Sequence, residues 1–132
     1  MYLPKHFEQP DTDAVAALLA AHPLATLLWS GPGGLEAEHV PLRWERGPDD
    51  GEHGTLRGHV ARANPVWREA AGQPVLAVFK GPQAYVSPSW YASKAEHGKV
   101  VPTWNYAVAH LHGPLRVVDD AAWLRAFVGR LT

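Results

Sequence analysis

Glycine and proline divide this chain into short apolar segments, and that division constrains the fold more than any other feature of the sequence. The chain has 12 glycines and 12 prolines among its 132 residues, and turn-forming clusters stand at residues 30–34, 81–82 and 113–114. Strands that follow one another through turns favour an antiparallel sheet, and about five to seven of them can close into a small barrel. The sequence therefore predicts a mainly β (α+β) fold with short flanking helices, in one domain over residues 1–132.

The strands are predicted from apolar runs bounded by turn residues. A shift in the apolar register near Glu38 and His39 predicts a bulge. Residues 75–79 are continuously apolar, which predicts a central strand covered on both faces. The predicted strands are residues 24–29, 35–44, 55–61, 75–79 with a continuation at 85–86 beyond a bend, and one or two segments within 100–118.

Three helices are predicted from their capping residues. Asp11 or Thr12 caps the first, which ends where His22 meets a proline. Asn64 is predicted as the N-cap of a short second helix that reaches residue 71, with proline at its first position. Asp119 or Asp120 caps the last helix, whose apolar stripe contains Leu124, Phe127, Val128 and Leu131.

Composition limits the possible functions. The net charge of −1 gives no basic surface for nucleic acid. The absence of cysteine excludes disulfides, thiolate metal sites and a thiol nucleophile. No apolar run reaches the roughly 18 residues of a membrane span, and the N-terminus lacks the layout of a signal peptide. We therefore expect a cytoplasmic protein without membrane contact.

The first candidate site is the segment 58–67, which runs from a strand directly into a helix start. Free amides at a helix N-terminus attract anions, and Arg62 adds a full positive charge beside them. A phosphate could be held there. The alternative, which the spacing alone favours, is an ordinary capped helix with a surface arginine.

The second candidate site is the aromatic stretch at residues 81–94 and 101–106. Ser87, Ser89, Ser93 and Lys94 form a polar cluster that either binds a ligand or is a solvated loop. Rings paired with hydroxyl or amide groups suit a flat aromatic ligand with a polar rim, whereas core positions would be aliphatic. The rings are Trp90, Tyr91, Trp104 and Tyr106, and their polar neighbours include Ser89, Thr103 and Asn105.

The histidines give a weaker signal. His110 and His112 project from one face of a predicted strand, and His97 lies near them in sequence. Two histidines at this spacing can bind a metal, but a third ligand must come from elsewhere, so a structural or surface pair is the favoured interpretation. The sequence contains no Gly-x-Ser-x-Gly elbow, dinucleotide fingerprint or Walker loop.

Six sequence blocks carry a family resemblance, at residues 1–7, 39–42, 58–67, 78–91, 101–106 and 108–113. They resemble the PaiB-type family, described as FMN-binding negative transcriptional regulators. The resemblance implies a split β-barrel of the pyridoxamine-phosphate-oxidase-like group, as a homodimer with FMN near the subunit interface. Similar proteins continue past the point where this chain ends, so the resemblance implies a shortened member or a fragment.

The resemblance and the residue chemistry together suggest an FMN site. FMN needs cations or amides for its phosphate, a wall for its ring, and donors along the polar edge of that ring. We expect Arg62, Asn64 and Lys94 to contact the phosphate. The ring is expected to lie against Trp90, Tyr91 and Trp104, with His59, Ser87, Ser89, Thr103 and Asn105 at its edge.

Three functions follow from these expectations. The first is an FMN-binding split-barrel protein that regulates transcription negatively, by an indirect route because no basic recognition helix is present. The second is an FMN-dependent oxidoreductase acting on a small molecule, in which His59 and His110 have suitable titration ranges although no acid or base is identified. The third, least favoured, is a haem-binding or haem-degrading barrel with His97, His110 or His112 as an axial ligand.

Overall fold

The computed structural model describes residues 1–94 and 98–131, and His97 lies outside them. Within this part of the chain, strands alternate with three α-helices and two short 3₁₀ helices, at Lys5–Phe7 and Pro88–Trp90. The strands are β1 (Leu24–Gly31), β2 (Gly34–Pro41), β3 (Arg43–Glu45), β4 (Thr55–Arg57), β5 (Pro74–Val86) and β6 (Thr103–Pro114), and the helices are α1 (Thr12–Ala21), α2 (Val66–Glu69) and α3 (Ala121–Leu131).

Two antiparallel sheets form the β architecture. One has four strands in the order β2-β1-β5-β6, and the other pairs β3 with β4. The mainly β, antiparallel split-barrel arrangement predicted from the sequence is confirmed. The segment predicted as a strand over residues 55–61 is shorter, because β4 ends at Arg57.

The hairpin β1–β2 pairs without interruption from Leu24 opposite Pro41 to Gly31 opposite Gly34. The bulge predicted near Glu38 and His39 is therefore wrong. β2 is an edge strand with a single buried residue, Val40, so its apolar pattern carries little information about pairing register.

β5 and β6 form the longest pair of strands. Their register shifts between Lys80 and Gln83, which confirms the predicted bend and continuation of the strand. A Cβ atom on Gly81 would collide with the Leu18 Cδ1 atom and lie 3.3 Å from the Ala107 Cβ atom. Glycine at this position therefore lets α1 pack closely on the sheet.

The hydrophobic core lies between one face of the four-stranded sheet and the helices α1 and α2. Phe79 is fully buried at its centre, and Leu76 and Val78, on the opposite face of β5, are only half-buried. The prediction that residues 75–79 are covered on both faces is therefore wrong for the single chain. The buried cluster contains Leu19, Ala25, Leu27, Trp29, Val66, Ala70, Ala77 and Phe79.

The helix caps follow the sequence closely. The Asp11 carboxylate accepts the backbone N–H of Asp13 at 2.9 Å, and the Asp120 carboxylate accepts that of Trp123 at 2.6 Å. For α2, the cap position falls on Pro65, one residue later than predicted, while the Asn64 side chain accepts the N–H of Val66 at 3.0 Å. Local sequence is thus sufficient to place these helix starts.

α3 packs against the rest of the molecule through few side chains. Phe127 is fully buried and stacks on Trp123, with ring centroids 5.3 Å apart. At the other end of the helix, the Arg43 guanidinium donates to the carbonyl of Arg130 at 2.9 Å. Leu124 remains 41% exposed, so the predicted apolar stripe is only partly covered.

Candidate functional site

The predicted site residues fall into two groups in the structure. His59, Arg62 and Asn64 lie between β4 and α2, and we call them the α2 cluster. The others lie on or beside the ribbon, defined as residues 83–86 of β5 and the paired residues 103–106 of β6. This second group contains Ser87, Ser89, Trp90, Tyr91, Lys94, Thr103, Trp104 and Asn105.

Arg62 is engaged with a carboxylate of its own chain. Its Nη1 and Nη2 atoms donate to the two oxygens of Asp119 at 3.0 and 2.7 Å. This pairing lowers the pKa of Asp119, first through the hydrogen bonds and then through the charge. The guanidinium also lies 5.5 Å from the ring centroid of Trp67, whose Nε1 atom donates to the Arg62 carbonyl at 3.1 Å. Arg62 is therefore held in place before any ligand arrives.

Asn64 uses both ends of its amide within the protein. Its oxygen accepts the N–H of Val66, and its nitrogen donates to the Glu38 carboxylate at 2.7 Å. The pKa of Glu38 is lowered, mainly because its carboxylate accepts the N–H of His39 and then because of Asn64. Asn64 thus has a structural task, and the first N–H of α2 is not free to meet an anion.

His59 is exposed and contacts α3. Its ring meets the edge of Phe127, with centroids 6.2 Å apart. The last helix and the linker before it therefore contact two of the three residues of the α2 cluster, His59 and Arg62. That contact could not be found by inspecting the segment around residues 58–67 alone.

The ribbon exposes three aromatic side chains. Tyr85, Trp104 and Tyr106 are 47, 55 and 64% exposed, and the Trp104 Nε1 atom donates to the Gln83 side-chain oxygen at 3.0 Å. β1 pairs with β5 only at residues 26–28 opposite 76–78, so the ribbon extends past the end of β1. Large apolar groups left uncovered in this way are typical of a ligand or partner surface.

A shallow cavity of about 320 Å³ opens beside the bulge between β5 and β6. Its volume is at the lower end of the roughly 300–1,000 Å³ typical of small-molecule sites. Its walls include the rings of Trp104 and Tyr106 and the polar side chains of Lys80 and Gln83, and Trp104 is the one residue among those predicted to contact the flavin that lines it. The cavity is lined by Val78, Lys80, Gly81, Gln83, Trp104, Tyr106, Ala107 and Val108.

The sequence analysis did not single out Lys80 and Gln83, which line the cavity. They flank the bulge, and strand alternation and register place both on the same sheet face as Trp104, Tyr106 and Val108. The signal in the sequence was the Gly81–Pro82 break, which we interpreted only as a bend. The displacement that it causes in the register determines which side chains share the cavity.

The serine-rich turn after β5 is ordered by its own hydroxyl groups. Ser87 accepts the N–H of Ser89, and their two Oγ atoms are 2.7 Å apart. The following Trp90 is 71% exposed, while Tyr91 is 39% exposed. The Lys94 side chain is exposed as well. These residues border the ribbon, and their contact with a cofactor remains a prediction.

The α2 cluster and the ribbon are far apart within one chain. Asn64 contacts Glu38, which pairs with Leu27, and Leu27 shares its row with Ala77 and Leu111. Trp104 lies seven residues before Leu111, or roughly 23 Å along an extended strand, and three strand spacings add roughly 14 Å across the sheet. The α2 cluster therefore contacts β2, one edge strand of the four-stranded sheet, whereas Trp104 lies on β6, the opposite edge strand.

His110 is half-buried on β6, on the same face as Val108 and the cavity. Burial lowers its pKa, and the positive charges of the N-terminal amine and His112 lower it further. Within residues 1–94 and 98–131, no three side chains of His, Cys, Asp or Glu lie close enough together to hold a metal ion.

A comparison with known families identifies the family of this chain. The family model described as "Putative FMN-binding domain" matches residues 1–132. The chain belongs to this family. The resemblance to the PaiB-type family found in the sequence is thereby confirmed.

Two relatives are similar over most of the chain. The Protease synthase and sporulation protein PAI 2 of Bacillus subtilis is 33% identical over 120 residues, which is 90% of this chain and 54% of that protein. The Uncharacterized protein YKL070W of Saccharomyces cerevisiae is 34% identical over 152 residues, covering 100% of this chain and 88% of the yeast protein. The chain thus spans about half the length of the bacterial relative.

A fungal relative shows the same partial coverage. The Uncharacterized protein AN0679 of Emericella nidulans is 36% identical over 109 residues, which is 66% of this chain and 43% of that protein.

Among the helices that the structure describes, none is long and apolar enough to cross a bilayer.

Proposed function

We propose that this protein binds FMN with the isoalloxazine ring in the cavity beside the ribbon. The observation that carries the proposal is the cavity itself, where Trp104 and Tyr106 provide aromatic surface beside the polar ends of Lys80 and Gln83. Aromatic rings stack on a flat conjugated ligand, and nearby donors bind the carbonyl oxygens at its edge. Bound FMN would supply a redox-active ring, while these side chains orient it.

The phosphate end of FMN is assigned to the α2 cluster, above all to Arg62. A guanidinium forms two parallel hydrogen bonds with a phosphate, which suits a terminal phosphate monoester. Because the α2 cluster contacts one edge strand of the sheet and the ribbon includes the opposite edge strand, we propose a homodimer in which one protomer supplies Arg62 and the partner supplies the ribbon. The exposed rings of Trp104 and Tyr106 would then be covered on assembly.

The proposal is tested by titrating the protein with FMN and following the quenching of flavin fluorescence. Replacing the exposed Trp104 with alanine should raise the dissociation constant roughly three- to tenfold, since one stacked ring is lost. Trp104→Phe retains a ring and is the matched control, expected to bind nearly as well as the unaltered protein. If Trp104→Ala and the unaltered protein bind FMN with equal affinity, the isoalloxazine ring does not lie in this cavity.

We also propose a regulatory role, supported by the similarity to PAI 2, which is named a protease synthase and sporulation protein. The net charge of −1 favours an indirect effect on transcription over direct binding to DNA. A mobility-shift assay with promoter DNA separates the two routes. If the protein still binds one specific DNA sequence at moderate salt while its binding to random DNA is lost, the indirect route would be overturned.

His110 favours a second candidate, an FMN-dependent oxidoreductase acting on a small molecule. It shares a sheet face with the cavity-lining residue Val108, and its lowered pKa keeps the imidazole neutral, as a proton acceptor must be. Turnover of a reduced nicotinamide by the FMN-loaded protein, lost in His110→Gln but not in His53→Gln, would support this activity. Absence of flavin reduction by either nicotinamide would count against it.

A further inference from the structure

We propose that Asp119 competes with the ligand phosphate for Arg62, so that FMN binding releases the start of α3. This inference rests on the proposed function, because it needs a phosphate that binds Arg62. It assigns to Asp119 a role in discriminating phosphorylated from unphosphorylated flavin, and to α3 the role of a segment that responds to the ligand.

The geometry places the carboxylate where a phosphate would bind. Both terminal nitrogens of Arg62 donate hydrogen bonds to the Asp119 carboxylate, at 3.0 and 2.7 Å. A phosphate that takes the same two donors must displace that carboxylate. Asp119 keeps its negative charge at neutral pH because Arg62 lowers its pKa, so the competitor is always present.

The ion pair of Arg62 and Asp119 is exposed enough for a phosphate to replace the carboxylate. The side chains of Arg62 and Asp119 are 71 and 62% exposed, and solvent-exposed ion pairs contribute little to stability. A phosphate monoester carries up to two negative charges at neutral pH, against one for a carboxylate. The ligand therefore has the stronger attraction for the guanidinium, and water can reach the released carboxylate.

The same pair anchors the start of α3. Asp119 immediately precedes the Asp120 cap, and the remaining contacts of α3 include the buried Phe127 and the bond from Arg43 to the Arg130 carbonyl. Losing the contact with Arg62 frees the first turn of the helix while Phe127 still holds its middle. The two contacts of Arg62 are thermodynamically coupled. The factor by which bound phosphate weakens the Asp119 contact equals the factor by which loss of that contact strengthens phosphate binding.

The test compares Asp119→Asn with Asp120→Asn as the matched control. Both variants lose one negative charge at adjacent positions, but Asp120 accepts the N–H of Trp123, a task that asparagine also performs. Asp119→Asn should bind FMN about two- to fivefold more tightly than the unaltered protein, since an exposed ion pair no longer competes. Its affinity for riboflavin should be unchanged, and Asp120→Asn should match the unaltered protein for both ligands.

Hydrogen exchange at the α3 amides provides a second readout. FMN should speed exchange in the first turn of α3 in the unaltered protein, and riboflavin should not. In Asp119→Asn, exchange there should already be fast and should not respond to FMN. Equal or weaker FMN binding by Asp119→Asn, a matching gain for riboflavin, or slower exchange in α3 on adding FMN would each overturn the inference.

The two proposals fail in different ways. If FMN binds the unaltered protein but Asp119→Asn shows no gain, the inference fails and the proposed function stands. If neither FMN nor riboflavin binds the unaltered protein or either variant, the proposed function is overturned, and the inference with it.

Discussion

The two halves of β5 contrast in a way that explains where the candidate site lies. In the first half, β5 pairs with β1 on one side and β6 on the other, and Ala77 and Phe79 are buried under the helices. In the second half, β6 alone pairs with β5 within the described residues, and Tyr85 is 47% exposed. The same strand thus builds the core where neighbours cover it and offers aromatic side chains where they end.

The largest effect should follow from a change in the covered half of β5. Phe79→Ala removes a fully buried ring and should lower the free energy of unfolding by about 3–5 kcal/mol. Trp104→Ala in the uncovered half should lower it by less than about 1 kcal/mol, because that side chain is half exposed. Urea denaturation measures both. Equal losses would mean that the ribbon is as much a part of the core as Phe79.

The next effect concerns assembly through the uncovered half. Tyr106→Glu places a charge on a ring surface that is 64% exposed in the single chain, and it should raise the dissociation constant of the proposed dimer at least about tenfold. Sedimentation at several protein concentrations detects this change. His53→Glu, at an exposed position in the loop between β3 and β4, is the control and should leave the proposed dimer intact.

At the boundary between the two halves of β5, an added methyl group should lower the stability of the protein. Gly81→Ala introduces a methyl group that collides with the Leu18 side chain. We expect the free energy of unfolding to fall by about 1 kcal/mol, and not by more, because the end of the Leu18 side chain can shift. Gly113→Ala adds the same group to β6 where nothing lies within 4 Å, so its thermal midpoint should stay within a degree or so of the parent. Matching midpoints for the two variants would contradict the close packing of α1.

The smallest effect is a pH dependence remote from β5. The hydrogen bond from Arg57 lowers the pKa of Asp50 below its ordinary value of 3.8. A carboxyl whose pKa is lowered by folding stabilises the protein above its ordinary pKa, and this contribution disappears as pH falls through the folded value. The difference in thermal midpoint between the unaltered protein and Asp50→Asn should therefore shrink below pH 3.8. A constant difference down to pH 2 would contradict this pairing.

Features set by neighbouring residues were predictable from the sequence. The caps at Asp11 and Asp120 depend on side chains within three residues of the amides they accept. The continuation of β5 past a bend was likewise visible in its glycine and proline. These features follow from local backbone chemistry, and the family resemblance supplied the barrel type.

Features set by distant residues could not be predicted. Arg62 and Asp119 are separated by 57 residues, and no pattern near Arg62 identifies its partner. Lys80 and Gln83 share the cavity because the register shifts between them, which depends on how β6 pairs. The exposed face of β5 could not be predicted either. The apolar run at residues 75–79 is the same whether the elements that pack on it belong to the same chain or to another chain.

The central claim is that the α2 cluster of one protomer and the ribbon of its partner form one FMN site, and subunit mixing tests it directly. Arg62→Ala and Trp104→Ala proteins, each impaired alone, are unfolded together, refolded and titrated with FMN. A shared site predicts that about one quarter of the sites regain full affinity, because each mixed dimer of a symmetric pair contains one unaltered site. No recovery of high-affinity sites in a mixture verified to contain mixed dimers would contradict the account.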